Sequence, residues 1–165
     1  MAKSFSTPKC KLKEDIRLYT DEQMDTELLH ISTQSIFDIA GTYDVHDSIT
    51  REHVGSLKRQ GLSSTFLRDR WQILNAEGNA IGTIEEDSAL KAFLRRFVDA
   101  VAFFMPQAFH VQMDGRMVCK CQQNFNPFVK KLNVDFTPDE VVEFDRRLGL
   151  AAAILLMAIE GRQSS

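Results

Sequence analysis

At 165 residues the chain is sized for one domain, and its balance of 44% hydrophobic and 26% charged residues is that of a globular fold rather than a disordered chain. A formal net charge of -3 excludes a protein held on nucleic acid by bulk positive charge. The cysteines are Cys10, Cys119 and Cys121, an odd and sparse set that does not suit a secreted disulfide framework, so a reducing cytoplasm is the expected compartment.

The first residues are polar and basic. They lack the apolar centre of a signal peptide, and Ala2 excludes a myristoylation site. Residues 1–8 are expected to be flexible and residues 1–165 to form a single domain. From residue 10 to 20 apolar and polar side chains alternate, which predicts a half-buried strand. Short strands follow at 28–32, 35–43, 43–46 and 53–59, with a break near Gly41. A hairpin is predicted with arms at 70–74 and 80–85. Its turn spans 75–79, where Gly78 supplies the positive φ.

Leu90, Phe93, Leu94, Phe97, Val98 and Val101 recur at helical spacing, which predicts an amphipathic helix near 88–105, ended by Pro106. Asp114-Gly115 between alternating runs predicts a second hairpin with a type I′ turn. Residues 128–136 alternate again. Thr137-Pro138-Asp139-Glu140 then reads as a helix start with a capping box, and Arg146 and Arg147 interrupt that helix before its apolar part.

That apolar part, residues 148–159, carries no charge. Its length of about 18 Å, at 1.5 Å per residue, falls short of a bilayer core. Leu150, Ile154, Leu155, Leu156, Met157 and Ile159 point around the whole circumference, so the helix is expected to be enclosed by the strands before it.

Short strands followed by a C-terminal apolar helix resemble the tubby C-terminal-like superfamily, which includes tubby-like proteins, phospholipid scramblases and LURP-one-related proteins. The resemblance rests on three segments: Tyr43-Asp44-Val45-His46-Asp47 with 54–59; Trp71-Gln72-Ile73-Leu74 with 81–84; and Leu132-Asn133-Val134-Asp135-Phe136 with 145–160. It implies a mainly β (α+β) fold: a closed antiparallel β-barrel around a buried C-terminal hydrophobic helix, here with one extra amphipathic helix near 88–105.

Chemistry-bearing residues are sparse. Cys119 and Cys121 share one face of a strand and with Cys10 or His110 could bind zinc, but their spacing is not that of a zinc site, and two buried thiols are the plainer reading. His46 and His53 flank a turn beside Asp44 and Asp47, where an acid–base pair could form across the hairpin. Asp135, Asp139, Glu140, Glu143 and Asp145 cluster where the scramblase resemblance implies calcium. The spacing lacks an alternating acidic loop, and capping explains Asp139 and Glu140.

No catalytic residue, metal or cofactor is expected. The resemblance to tubby-like proteins makes Lys58, Arg59, Arg68, Arg70, Lys130 and Lys131 candidates for an anionic phospholipid head group. The expectation is a non-enzymatic cytoplasmic barrel, peripheral to a membrane, that binds a ligand or an anionic membrane surface and no nucleic acid. The alternatives are a scramblase-like membrane activity, or a structural or protein-interaction module.

Overall fold

The computed structural model describes residues 15–33, 41–60, 71–86, 108–124 and 131–163. They form nine strands: β1 (Asp15–Tyr19), β2 (Glu27–Thr33), β3 (Thr42–Asp47), β4 (His53–Arg59), β5 (Trp71–Asn75), β6 (Ala80–Glu86), β7 (Ala108–Met113), β8 (Arg116–Asn124) and β9 (Lys131–Asp135). One helix follows, α1 (Arg146–Gln163). The predicted helix near 88–105 and residues 1–8 lie outside the described residues.

Each strand pairs antiparallel with its sequence neighbour, so the sheet is a nine-stranded meander in the order β1 to β9. Side chains alternate across it as the pleat requires. Registers such as Ile16↔Ile31, Ile31↔Val45, Leu57↔Ile73, Ile84↔Val111, Val111↔Cys119 and Cys121↔Val134 put the apolar residues of every strand on one face. Tyr43 and Trp71 meet there with ring centroids 5.8 Å apart.

The helix packs on that face against β2, β3, β4 and β9. Leu148, Ala151, Ala152, Ala153, Leu155 and Leu156 are buried in one core with the sheet residues. Full burial of a side chain such as Leu155 stabilises the fold by about 1.5–3 kcal/mol. The close approach needs small residues. A Cβ on Gly149 would sit 2.5 Å from Phe136, and one on Gly55 would sit 2.3 Å from the Leu74 carbonyl oxygen.

The expected closed barrel is not formed. The sheet is open, with β1 and β9 as its edges, and among the described residues no first-to-last pairing closes it. The helix itself bridges the two ends of the strand order, from β2–β4 to β9. The apolar circumference of α1 is not fully enclosed: Leu150, Ile154 and Met157 are only partly buried. Among the described residues, no helix is long and apolar enough to cross a membrane.

The helix start is also corrected. Thr137 to Val141 form turns, and α1 begins at Arg146. The Asp135 carboxylate accepts both the backbone N–H and the hydroxyl of Thr137, at 2.9 and 2.6 Å, which removes Thr137 as a cap. Asp139, buried, accepts from the N–H groups of Glu143 and Phe144. The working cap is Asp145, whose side chain accepts from the N–H of Arg147 at 2.9 Å. Arg146 and Arg147 therefore open the helix rather than interrupt it.

Candidate functional site

Two features on the described surface carry polar or exposed groups beyond what the core requires. The first is a rung on the sheet face opposite the helix. Arg17, His30, His46 and His53 stand in register across β1 to β4. Arg17 pairs with Asp15 and Glu27 at 3.1 and 3.0 Å, and His30 Nε2 lies 3.0 Å from Asp15. The rings of His46 and His53 meet at 5.1 Å, as expected across this hairpin, while His30 joins them only through the β2–β3 register.

Ser56, Asp44 and His53 also gather here, without the geometry of a nucleophile. The Ser56 hydroxyl donates to Asp44 at 2.7 Å, and His53 Nε2 stands off at 3.4 Å from Ser56 and 3.6 Å from Asp44. In a catalytic triad the imidazole takes the hydroxyl proton and the carboxylate holds the far ring nitrogen. Here the carboxylate holds the hydroxyl directly, and Ser56 is buried.

Burial, and next the facing His53, hold the His46 pKa below the ordinary histidine value. The unfolded chain therefore binds this proton first as pH falls. The stability linked to neutral His46 is full above about pH 6.5 and is lost as pH drops through the lower folded value. Asp15, Glu27 and Asp47 also lie below the ordinary carboxylate range. The leading causes are hydrogen bonds from Arg17, Ser48 and the Thr50 backbone respectively. Their contribution is present above about pH 4 and falls away below it. The melting temperature is thus expected to decline in two stages on acidification, with the upper stage reduced in His46→Gln. A flat profile from about pH 7.5 to about pH 5.5 would contradict this assignment.

Among the described residues, the predicted basic side chains Lys58, Arg59 and Lys131 do not gather. Lys58 is exposed on β4, on the face away from the helix, opposite Thr42 and Gln72. Arg59, half-buried, follows it with the opposite strand parity. Lys131 is exposed on β9, with β5 to β8 lying between it and Lys58. Arg68, Arg70 and Lys130 lie outside the described residues.

Cys119 and Cys121 are buried on the helix-facing side with their sulfurs 3.8 Å apart. The Cys121 sulfur and burial hold the Cys119 thiol well above its ordinary pKa, so it stays protonated. His110 alternates with the buried Phe109 and Val111 and so belongs to the opposite face, away from both thiols. Cys10 is outside the described residues. Four of the five acids of the cluster around 135–145 are engaged individually, Asp135, Asp139 and Asp145 by backbone N–H groups and Glu143 by Arg116 at 3.0 Å, and Glu140 is exposed. Among the described residues no group of His, Cys, Asp and Glu is arranged to hold a metal ion.

The second feature is one end of the sheet. In a meander, alternate connections fall at the same end. The turns 20–26, 48–52, 76–79 and 114–115, together with the loop 136–145, therefore share one end. Asp114 and Gly115 have φ of 51° and 75°, the expected type I′ turn. Side-chain bonds tie most of this rim together. Ser48 donates to Glu27 at 2.6 Å, joining the 48–52 turn to the start of β2. Arg147 reaches Asp47 at 2.9 Å, Glu52 at 3.2 Å and Asp145 at 2.7 Å, joining the 48–52 turn to the helix start. Arg116 and Glu143 join the 136–145 loop to β8.

All the large hydrophobic side chains exposed among the described residues lie on this rim: Met24 (64%), Ile49 (65%), Met117 (40%), Val141 (59%) and Val142 (64%). Two of them also occupy left-handed backbone, Met24 with φ 60° and Val142 with φ 54°. For a β-branched residue that conformation is a genuine outlier. Val142 therefore strains the backbone while burying little. Val142→Gly is expected to raise stability by about 1 kcal/mol in chemical denaturation. A loss of similar size would show that the Val142 side chain supports the fold.

No protein-family profile, no curated protein and no solved structure matches the chain.

Proposed function

We propose that this protein is a non-enzymatic protein-interaction module that presents the hairpin end of its sheet to a partner. The observation that carries this reading is that Met24, Ile49, Met117, Val141 and Val142, all exposed, lie at one end of the sheet. Single exposed apolar residues are ordinary on protein surfaces. Their placement at the same end of the sheet supports an interaction surface there. Backbone strain at Val142 supports the same reading, because strain retained without a packing return points to a role outside the fold.

The lipid head-group reading draws less support. Lys58 and Lys131 stand on separate parts of the sheet, and Arg59 is half-buried. An enzymatic reading would need an activated nucleophile or a free general base. The Ser56–Asp44 bond argues against the arrangement nearest to one.

The test is site-specific photo-crosslinking in cells, comparing probes at Ile49 and Val142 with probes at Gln72 and Lys131. The expected result is one adduct of defined mass from the rim positions alone. Equal labelling at all four positions would contradict the proposal. Flotation with phosphoinositide vesicles serves as the second arm. Retention abolished by Lys58→Glu with Lys131→Glu would restore the lipid reading in its place.

A further inference from the structure

We infer that the partner segment received by the hairpin end is a basic, amphipathic stretch of polypeptide. This rests on the reading of that end as an interaction surface and adds the chemistry of what it takes. Two observations meet here. One is the exposed apolar set, which asks for apolar side chains in return. The other is the charge around it. The 20–26 turn contains Asp21, Glu22 and Asp25 and no basic residue, and the 136–145 loop contains Asp139, Glu140, Glu143 and Asp145 and no basic residue.

Asp139 is buried and two arginines already offset Glu143 and Asp145, which leaves Asp21, Glu22, Asp25 and Glu140 as the exposed carboxylates of these two segments. Arg116 is taken by Glu143, and Arg147 by Asp47, Glu52 and Asp145. Arg51 remains exposed in the 48–52 turn, and Arg146 is exposed at the helix start, 5.8 Å from the Phe136 ring centroid. Glu22 and Asp25 flank the exposed Met24, and Glu140 precedes the exposed Val141 and Val142. Met24, Val141 and Val142 thus stand beside exposed carboxylates in the chain.

That pattern selects among occupants. An anionic bilayer would be repelled by the same carboxylates that flank the apolar side chains, within a Debye length of about 8–10 Å. A polypeptide that alternates Lys or Arg with apolar residues complements both features at once. It would gain orientation and rate of association from the charges and its hold from the apolar anchors.

The test uses the full chain and three synthetic peptides of about 18 residues, each an amphipathic helix of about five turns. They share one leucine face and differ in carrying lysine, glutamine or glutamate on the other. Binding is read by fluorescence anisotropy at near-physiological salt. The lysine peptide is expected to bind at least about tenfold more tightly than the glutamate peptide, since each tenfold step is a modest free-energy difference. Ile49→Ser with Val142→Ser should weaken the lysine peptide by about tenfold or more. Glu22→Gln with Glu140→Gln should weaken it by about threefold and reduce its salt dependence. Thermal melts confirm that the variants are folded.

If the three peptides bind equally and the Ile49 and Val142 substitutions still weaken them, the charge inference is overturned and the interaction surface stands. If the lysine peptide binds but ignores the Ile49 and Val142 substitutions, both fail. If no peptide binds, the inference is overturned, and the crosslinking experiment alone decides the broader reading. Binding to phosphatidylserine vesicles through Ile49 and Val142 would overturn both in favour of a membrane.

Discussion

Leu155→Asp is expected to abolish cooperative folding. Leu155 is 1% exposed, in the middle of the α1 face that meets the sheet. The substitution removes a fully buried aliphatic side chain, a change worth about 2–5 kcal/mol for leucine truncations. It also buries a carboxylate, at an effective cost of several kcal/mol more. The sum rivals the whole stability of a domain this size, about 5–15 kcal/mol. Leu155→Met, which nearly conserves volume, should cost less than about 1.5 kcal/mol. Urea unfolding of the three proteins separates the cases. A Leu155→Asp variant that unfolds cooperatively near the wild-type midpoint would show that the helix face is not packed as described.

Gly55→Ala is the second large effect, and its cause is different. Gly55 sits at a bulge between β3 and β4 with φ 155°, a backbone conformation that side-chain-bearing residues rarely adopt. An added Cβ would stand 2.3 Å from the Leu74 carbonyl oxygen on β5 and 3.2 Å from Leu148 on α1. Neither backbone nor buried helix can yield without opening the core. The expected loss is at least about 3 kcal/mol. Gly115 is the control. It too has positive φ, but nothing lies within 4 Å of its missing Cβ, so Gly115→Ala should cost only about 1 kcal/mol. Equal losses at the two glycines would mean that backbone conformation alone, and not the approach of β5 and α1, governs the position.

The contrast between these glycines marks what the sequence could and could not convey. Asp114-Gly115 announced its turn locally, because a type I′ turn needs two left-handed residues and this dipeptide supplies them at low cost. The Trp71–Asn75 and Ala80–Glu86 hairpin is legible from its alternating arms and from Gly78, which takes the positive φ of 83° in its longer turn. The requirement at Gly55 is set by Leu74 and Leu148, far along the chain, and no local pattern encodes it.

The helix start differs from its local pattern for a related reason. Thr137-Pro138-Asp139-Glu140 has the composition of a capping box, but Asp135 took up the Thr137 groups and Asp139 turned its carboxylate to a later segment of the loop. Closure of the barrel was inferred from the apolar circumference of α1. Partial burial of Leu150 and Ile154 shows that a one-sided sheet contact sufficed for those residues.

The candidate surface left a fainter trace. Met24, Ile49, Val141 and Val142 are scattered apolar residues in polar turns, with no period to reveal them. They become one feature only when the strands are counted as a meander, which returns every second connection to the same end. The histidines behaved similarly. His46 and His53 were foreseen across their hairpin, whereas His30 and Arg17 joined the rung through strand registers that local sequence does not specify.

The central claim is that the hairpin end serves contact rather than folding, and the most direct measurement is made on one variant, Ile49→Ser with Val142→Asn. Melting temperature and rim crosslinking, from a probe at Met117, are read on the same preparation. The predicted result is a melting temperature at or above that of the wild type, with the crosslinked adduct lost. A lowered melting temperature with the adduct intact would contradict the claim, because these side chains would then belong to the fold and not to an interface.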